Sequence, residues 1–213
     1  MAASPGRPKS SNNTAADDKR AQLLAAALAL FTARPYAMVS TRQIAAKAGV
    51  NASLIRYYFL DKAGLFEAMI VETLSPFLRS LEQAKLSGKP DPAALIHLYY
   101  QVMQPNPDLP KLLVRSLWDP ASVEYQLLAP VFSQFAQYAL PLMQQVLGQP
   151  DVLQEDVDIN AGRLAVMSLA IFPFLAPKMV LEQLQLQLNP ESLQRLAQQH
   201  GRLLHQGIFA RKE

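Results

Sequence analysis

Within the twelve residues from Asn51 to Lys62 the chain sets an amide, a hydroxyl, a guanidinium, two phenols and an ammonium: Asn51, Ser53, Arg56, Tyr57, Tyr58 and Lys62. These types at this spacing form no acid–base pair, nucleophile or metal site. They are hydrogen-bonding groups that, with Ala52 among them, suit base edges and phosphate oxygens. Lys62 also stands where a helix is expected to start, so that its ammonium and the free backbone N–H groups could share one phosphate.

Such groups act only if rigid elements present them. Ser40 followed by Gln43 makes a capping box that opens a helix over about 41–48, with Ile44, Ala45 and Ala48 facing inward. Gly49 follows at the point where a chain leaves a helix with positive φ. Asn51 is a good N-cap for a third helix to about Tyr58, anchored by Leu54 and Phe59. Asp61 caps a fourth, whose Leu65, Phe66, Met69 and Ile70 form an apolar stripe. The small residues Ala45, Ala46 and Ala48 beside Gly49 let two helices cross closely, as a helix-turn-helix requires. Upstream, Thr14 and Asp17 form a capping box for a first helix, with Leu24, Ala27, Leu28 and Phe31 at amphipathic spacing and an end near Arg34-Pro35. Residues 1–13 read as a disordered tail whose Gly6-Arg7-Pro8-Lys9 run could reach into a minor groove.

Charge is divided in the same sense. The 213 residues carry a net charge of +3, but through Lys62 nine lysines and arginines face three aspartates, leaving the remainder with eleven basic and fourteen acidic residues. A basic front on an acidic body suggests that the first part meets a polyanion. The absence of cysteine excludes disulfides, thiol catalysis and thiolate metal sites. No signal-peptide pattern opens the chain. The longest uncharged apolar run, between Arg163 and Lys178, holds Pro173 and Pro177 and falls short of the roughly 20 residues that span a bilayer. It reads as buried helix, and the cytoplasm is the expected location, without membrane contact.

From the first helix to Phe66 the chain resembles the TetR family of bacterial transcriptional regulators. The motif elements are Ile44-Ala45-Ala46-Lys47-Ala48-Gly49-Val50, then Ser53-Leu54-Ile55-Arg56-Tyr57-Tyr58-Phe59, then Asp61-Lys62 with Leu65-Phe66. The resemblance implies that Thr41 and Arg42 contact backbone or bases, that Asn51, Ala52 and Ser53 approach base edges, and that Tyr57, Tyr58 and Lys62 hold phosphates. Arg56 stands where the family usually has tyrosine, so a tyrosine-type role does not transfer; its longer cationic side chain suits a phosphate or a guanine. The resemblance also implies an all-α architecture: a three-helix DNA-binding domain, placed here at 14–60, and a larger helical effector-binding and dimerisation domain at 61–213. The partners it implies are a palindromic double-stranded operator, a small-molecule effector and a second copy of the chain.

For the body, helices are expected at about 92–104, 109–118, 121–148 with breaks near Pro130 and Pro141, 155–185 and 190–209. Asp91-Pro92 and Asn189-Pro190 each pair an N-cap with proline at the first helical position. Leu193, Leu196, Ala197, Leu203, Leu204 and Ile208 form a stripe expected at the dimer interface, with Gly201 and Gly207 permitting close approach. An intrachain core is the competing use of that stripe. Tyr99, Met103, Arg115, Trp118, Tyr125, Phe132, Phe135, Tyr138 and Met167 are candidates for a mainly apolar effector pocket, with Arg115 paired either to a ligand carboxylate or to Asp119. The scattered glycines make no phosphate loop, no serine lies in a nucleophile turn, and His97, His200 and His205 lack metal spacing. No cofactor is expected. A ligand-responsive repressor is the primary reading; the alternatives are a helical ligand-binding or scaffold protein, and then a helical enzyme.

Overall fold

The computed structural model describes residues 11–86, 92–147 and 157–207. Among them the secondary structure is helical, with no strand: α1 (Ser11–Ala33), α2 (Thr41–Ala48), α3 (Ser53–Phe59), α4 (Lys62–Leu86), α5 (Pro92–Met103), α6 (Leu109–Trp118), α7 (Val123–Leu147), α8 (Ile159–Leu175), α9 (Lys178–Gln183) and α10 (Pro190–Gly207). The chain forms two compact units that divide between Val71 and Glu72. The first therefore extends beyond residue 60, because Leu65, Phe66, Met69 and Ile70 of α4 are all buried.

The first unit is built as its local chemistry directs. The Ser40 hydroxyl accepts the Gln43 N–H at 3.2 Å while the Gln43 side chain accepts the Ser40 N–H at 2.8 Å, closing the capping box. Gly49 ends α2 with φ 67°, a conformation most side chains resist. Two local readings shift. Helix α1 begins at Ser11 and runs through Thr14, so Thr14 is inside the helix and not its cap, while the arm at residues 6–9 lies outside the described residues. The buried anchors of α3 are Ile55 and Phe59, with Leu54 half-buried. Phe31, Tyr36 and Phe66 close the core as an aromatic trio, with centroids 5.0 to 5.5 Å apart.

In the second unit α5, α6 and α10 follow the expected spans. The Asn189 side chain accepts the Ser192 N–H at 2.8 Å and its carbonyl accepts the Leu193 N–H, so the N-cap of α10 is in place; Asp91 lies outside the described residues. Helix α7 does not break at Pro130 or Pro141. Both rings are exposed, and the carbonyls that lose an N–H partner belong to exposed Gln126 and Gln137, where water can serve them. The expected single helix over 155–185 is divided: α8 ends at Leu175, and Pro177 leads into α9.

Pro173 has a different consequence because it is buried. Lacking an N–H, it cannot bond the carbonyl of Leu169 one turn back. Tyr100 of α5 fills the gap: its hydroxyl donates to Leu169 O at 2.7 Å and lies 2.9 Å from His200 Nδ1 of α10. With the tyrosine proton on Leu169, neutral His200 donates from Nδ1 to the phenol oxygen. One missing backbone donor thereby ties three helices at a single polar point.

The α10 stripe is the main correction. Leu193, Ala197, Gly201 and Leu204 are buried within the chain, on the side of α10 that meets α5. A Cβ on Gly201 would stand 2.3 Å from the Ala93 Cβ, so its missing side chain serves the α5–α10 crossing and not a crossing between copies. Leu196 is half-buried and Leu203 exposed on the other side; Ile208 lies outside the described residues.

Candidate nucleic-acid interface and ligand cavity

Helices α2 and α3 present one polar surface. Arg42, Asn51, Ser53, Arg56 and Tyr57 are exposed, and Thr41 and Ala52 half-buried, while Ile44, Ala45, Ile55 and Phe59 hold the two helices to the core. The Asn51 carboxamide oxygen accepts the Ser53 N–H at 2.9 Å and its carbonyl accepts the Leu54 N–H. Asn51 thus organises the start of α3 while its amide nitrogen remains on the exposed side of the turn. Tyr57 is 78% exposed and packs edge-on to Tyr58, with centroids 4.9 Å apart.

Two of the three residues expected at phosphates have other occupations. The Tyr58 hydroxyl donates to the Ala16 carbonyl of α1 at 3.0 Å. Lys62 is half-buried; its ammonium donates to the carbonyls of Tyr36 and Val39, each at 3.1 Å, and sits 3.8 Å from the centre of the Tyr36 ring. It thereby fixes the connection that leads into α2. Nothing in the sequence marks those two carbonyls as acceptors, because a backbone oxygen 23 or 26 residues away carries no signature.

The reversal from α3 to α4 is tight. Leu60 has φ 70° and ψ −52°, and the Asp61 N–H reaches Phe59 O at 2.9 Å, a γ-turn of the strained kind. The Asp61 side chain then accepts the Gly64 N–H at 2.9 Å as the expected cap of α4. A Cβ at Gly64 would fall 2.1 Å from Phe59 O, so only glycine lets the first turn of α4 lie against the last carbonyl of α3.

The second unit holds a cavity of about 230 Å³ walled by α4, α5, α7 and α8. Of the residues expected to meet an effector, Tyr99, Phe132, Phe135 and Met167 line it. Met103 is core, Tyr125 is half-buried away from this wall, and Tyr138 is exposed. Helix α6 turns Leu109, Leu112 and Ser116 inward, and at 100° per residue this sends Arg115 and Trp118 outward; Trp118 is 82% exposed. The polar anchors expected on α6 are therefore at the surface. Burial pushes the Tyr99 phenol above its ordinary range, and burial together with neighbouring Tyr99 does the same to Tyr100. Burial holds the His200 imidazole below its ordinary value of 6.5. Among the described residues, no group of three His, Asp or Glu could hold a metal ion, and no helix is long and apolar enough to cross a membrane.

Comparison with known proteins places these features in context. Residues 23–69, which contain α2, α3 and the start of α4, match the family model described as bacterial regulatory proteins, tetR family. Over 170 residues the chain is 24% identical to the Bacillus subtilis (strain 168) protein named "Probable HTH-type transcriptional regulator YttP", spanning 78% of this chain and 82% of that one. The fold resembles the ketosteroid transcriptional regulator KstR2 of Mycobacterium tuberculosis, with a TM-score of 0.66 at 14% identity over 90% of this chain and 95% of the other. It also resembles the regulator FadR of Bacillus subtilis, solved with stearoyl-CoA, with a TM-score of 0.65 at 17% identity over 88% and 98%.

Proposed function

We propose that the chain, whose residues 23–69 match the tetR family model, is a cytoplasmic, homodimeric repressor of that family that binds a palindromic operator and is released by a small molecule. The observation that carries the reading is the α2–Gly49–α3 crossing, held by the Ser40 capping box and by the Asn51 side chain accepting the Ser53 N–H just ahead of α3, which leaves Arg42, Asn51, Ser53, Arg56 and Tyr57 exposed. In this arrangement α3 enters the major groove, Asn51, Ala52, Ser53 and Arg56 meet base edges, and Thr41, Arg42 and Tyr57 meet the backbone. Tyr58 and Lys62 act mainly by holding α1 and the α1–α2 connection in place.

Dimerisation, in this reading, uses the sides of α8 and α10 that the chain leaves uncovered. Leu164, Ser168 and Phe172 recur every fourth residue along α8, with Leu164 64% and Phe172 59% exposed. Ser168 and Phe172 line one groove with Leu196 of α10, and Leu203 lies two turns beyond Leu196 on the same side. The effector occupies the cavity between α4, α5, α7 and α8 and favours a state whose two recognition helices no longer match major grooves one turn apart, about 34 Å. Coupling of ~1–3 kcal/mol is enough to release an operator.

The test is selection of bound fragments from sheared genomic DNA of the host. A regulator enriches one short palindrome; recovery of fragments at random overturns the reading and returns the chain to the class of ligand-binding or scaffold proteins.

A further inference from the structure

The wall of the second-unit cavity is unusual in what it lacks. Among the described residues, the sixteen that line it include no lysine, arginine, histidine, aspartate or glutamate; apart from Tyr99 they are alanine, leucine, isoleucine, valine, methionine and phenylalanine. Tyr99 is held edge-on by Phe77 and Phe174, at 5.6 and 5.8 Å between centroids, which fixes the ring. Its hydroxyl has no hydrogen-bond partner among the described residues and is not enclosed, since the enclosed side-chain atoms without a partner are Ser116 Oγ and Arg163 Nε, so its donor is left for a ligand or water. Neighbouring Tyr100, by contrast, has its hydroxyl fully engaged with Leu169 and His200.

We propose that the cavity binds a small, uncharged, mainly hydrocarbon molecule carrying one hydrogen-bond acceptor, such as a ketone or aldehyde carbonyl, which receives the Tyr99 hydroxyl proton. This rests on the effector reading above and narrows it to a ligand class. Size supports the class: about 230 Å³ exceeds the ~150 Å³ that accepts a benzene-sized molecule and is below the ~300 Å³ at which larger ligand pockets begin. Charge supports it too. A carboxylate drawn into this wall would lose its hydration and meet no cation among the described lining residues, and one phenol cannot offset that loss. Because burial raises the Tyr99 pKa, the phenol stays protonated in the working range and acts as a donor, so the matching ligand group is an acceptor.

The experiment compares 2-nonanone with nonanoate at pH 8 by calorimetry on the full chain. The ketone is expected to bind at least tenfold more tightly. Tyr99→Phe should weaken the ketone by about three- to tenfold, the worth of one neutral hydrogen bond, and leave binding of n-nonane-saturated buffer unchanged. Ala136→Leu, which fills the cavity from the α7 wall, should abolish ketone binding with no loss of melting temperature. Equal or tighter binding of nonanoate, an unchanged ketone affinity in Tyr99→Phe, or no ketone binding at millimolar concentration each overturn the assignment. Operator retention is measured separately. Ketone binding without operator release leaves the ligand class standing and removes the effector reading, whereas operator binding with no ketone binding does the reverse.

Discussion

Replacing Lys62 with methionine keeps the length and apolar stem of the side chain and removes only the ammonium. In the native unit that ammonium makes two charge-assisted hydrogen bonds of 3.1 Å and lies 3.8 Å from the Tyr36 ring centre. Bonds to charged groups contribute ~1.5–3 kcal/mol each and a cation–π contact ~0.5–1 kcal/mol, against roughly 2 kcal/mol of side-chain entropy that methionine also largely loses. Tyr36 O keeps the Val39 N–H as a partner, which limits the damage. The expected net loss is ~2–3 kcal/mol in the first unit, a fall of roughly 10 °C or more in its melting temperature. Operator affinity should fall because the entry to α2 loosens. Its salt dependence, read by fluorescence anisotropy of a labelled operator well below the melting point, should keep the same slope. A lysine bound to a phosphate behaves in the opposite way: stability is unchanged and the slope of log K against log salt shrinks by ~0.9. That pattern would refute the positioning role.

Three further outcomes follow from particular contacts. Gly64→Ala forces a Cβ to 2.1 Å from a backbone oxygen that cannot swing aside, so unfolding should show a loss of ~1–3 kcal/mol and operator binding should weaken with it; an unperturbed variant would mean that the α3–α4 turn is looser than described. Phe172→Asp should give a folded monomer by sedimentation at micromolar concentration, while Leu193→Asp should unfold the second unit because Leu193 is core; a persistent Phe172→Asp dimer would remove the α8 face from the interface. His200 has its pKa lowered by burial, so the unfolded chain takes up protons more readily below pH 6.5. Its contribution is therefore complete above about pH 6.5 and is lost as pH falls below it, and His200→Gln should flatten the acid side of a urea-denaturation series.

Apart from Thr14, which lies inside α1 and does not cap it, the local signals in both units were legible in the sequence. Ser40, Gly49, Asp61 and Asn189 act through hydrogen bonds or dihedral angles within a few residues, and each does in the structure what its type and neighbours imply. What sequence left open was which partner each group meets. The spacing of Leu193, Ala197 and Leu204 establishes that one side of α10 is covered, but α5 and a second chain satisfy that spacing equally, and only the Gly201–Ala93 approach decides for α5. Lys62 and Tyr58 carry the right chemistry for phosphates yet find carbonyls far along the chain. Arg115 and Trp118 were drawn into the pocket by type, whereas the rotation of α6, set by Leu112 and Ser116, places them outside. Tyr100 could not have been linked to Pro173 without the fold, since the link passes through the carbonyl that proline leaves free.

The central claim is that the exposed surface of α2 and α3 reads sequence. It is tested most directly by titrating the native chain, at one physiological salt concentration, against the recovered palindrome and a scrambled duplex of the same length and composition, with Arg56→Ala alongside. The account predicts that the native chain prefers the palindrome by at least ~10³-fold and that Arg56→Ala narrows the preference by ~1–3 kcal/mol. Equal affinity for the two duplexes would contradict it.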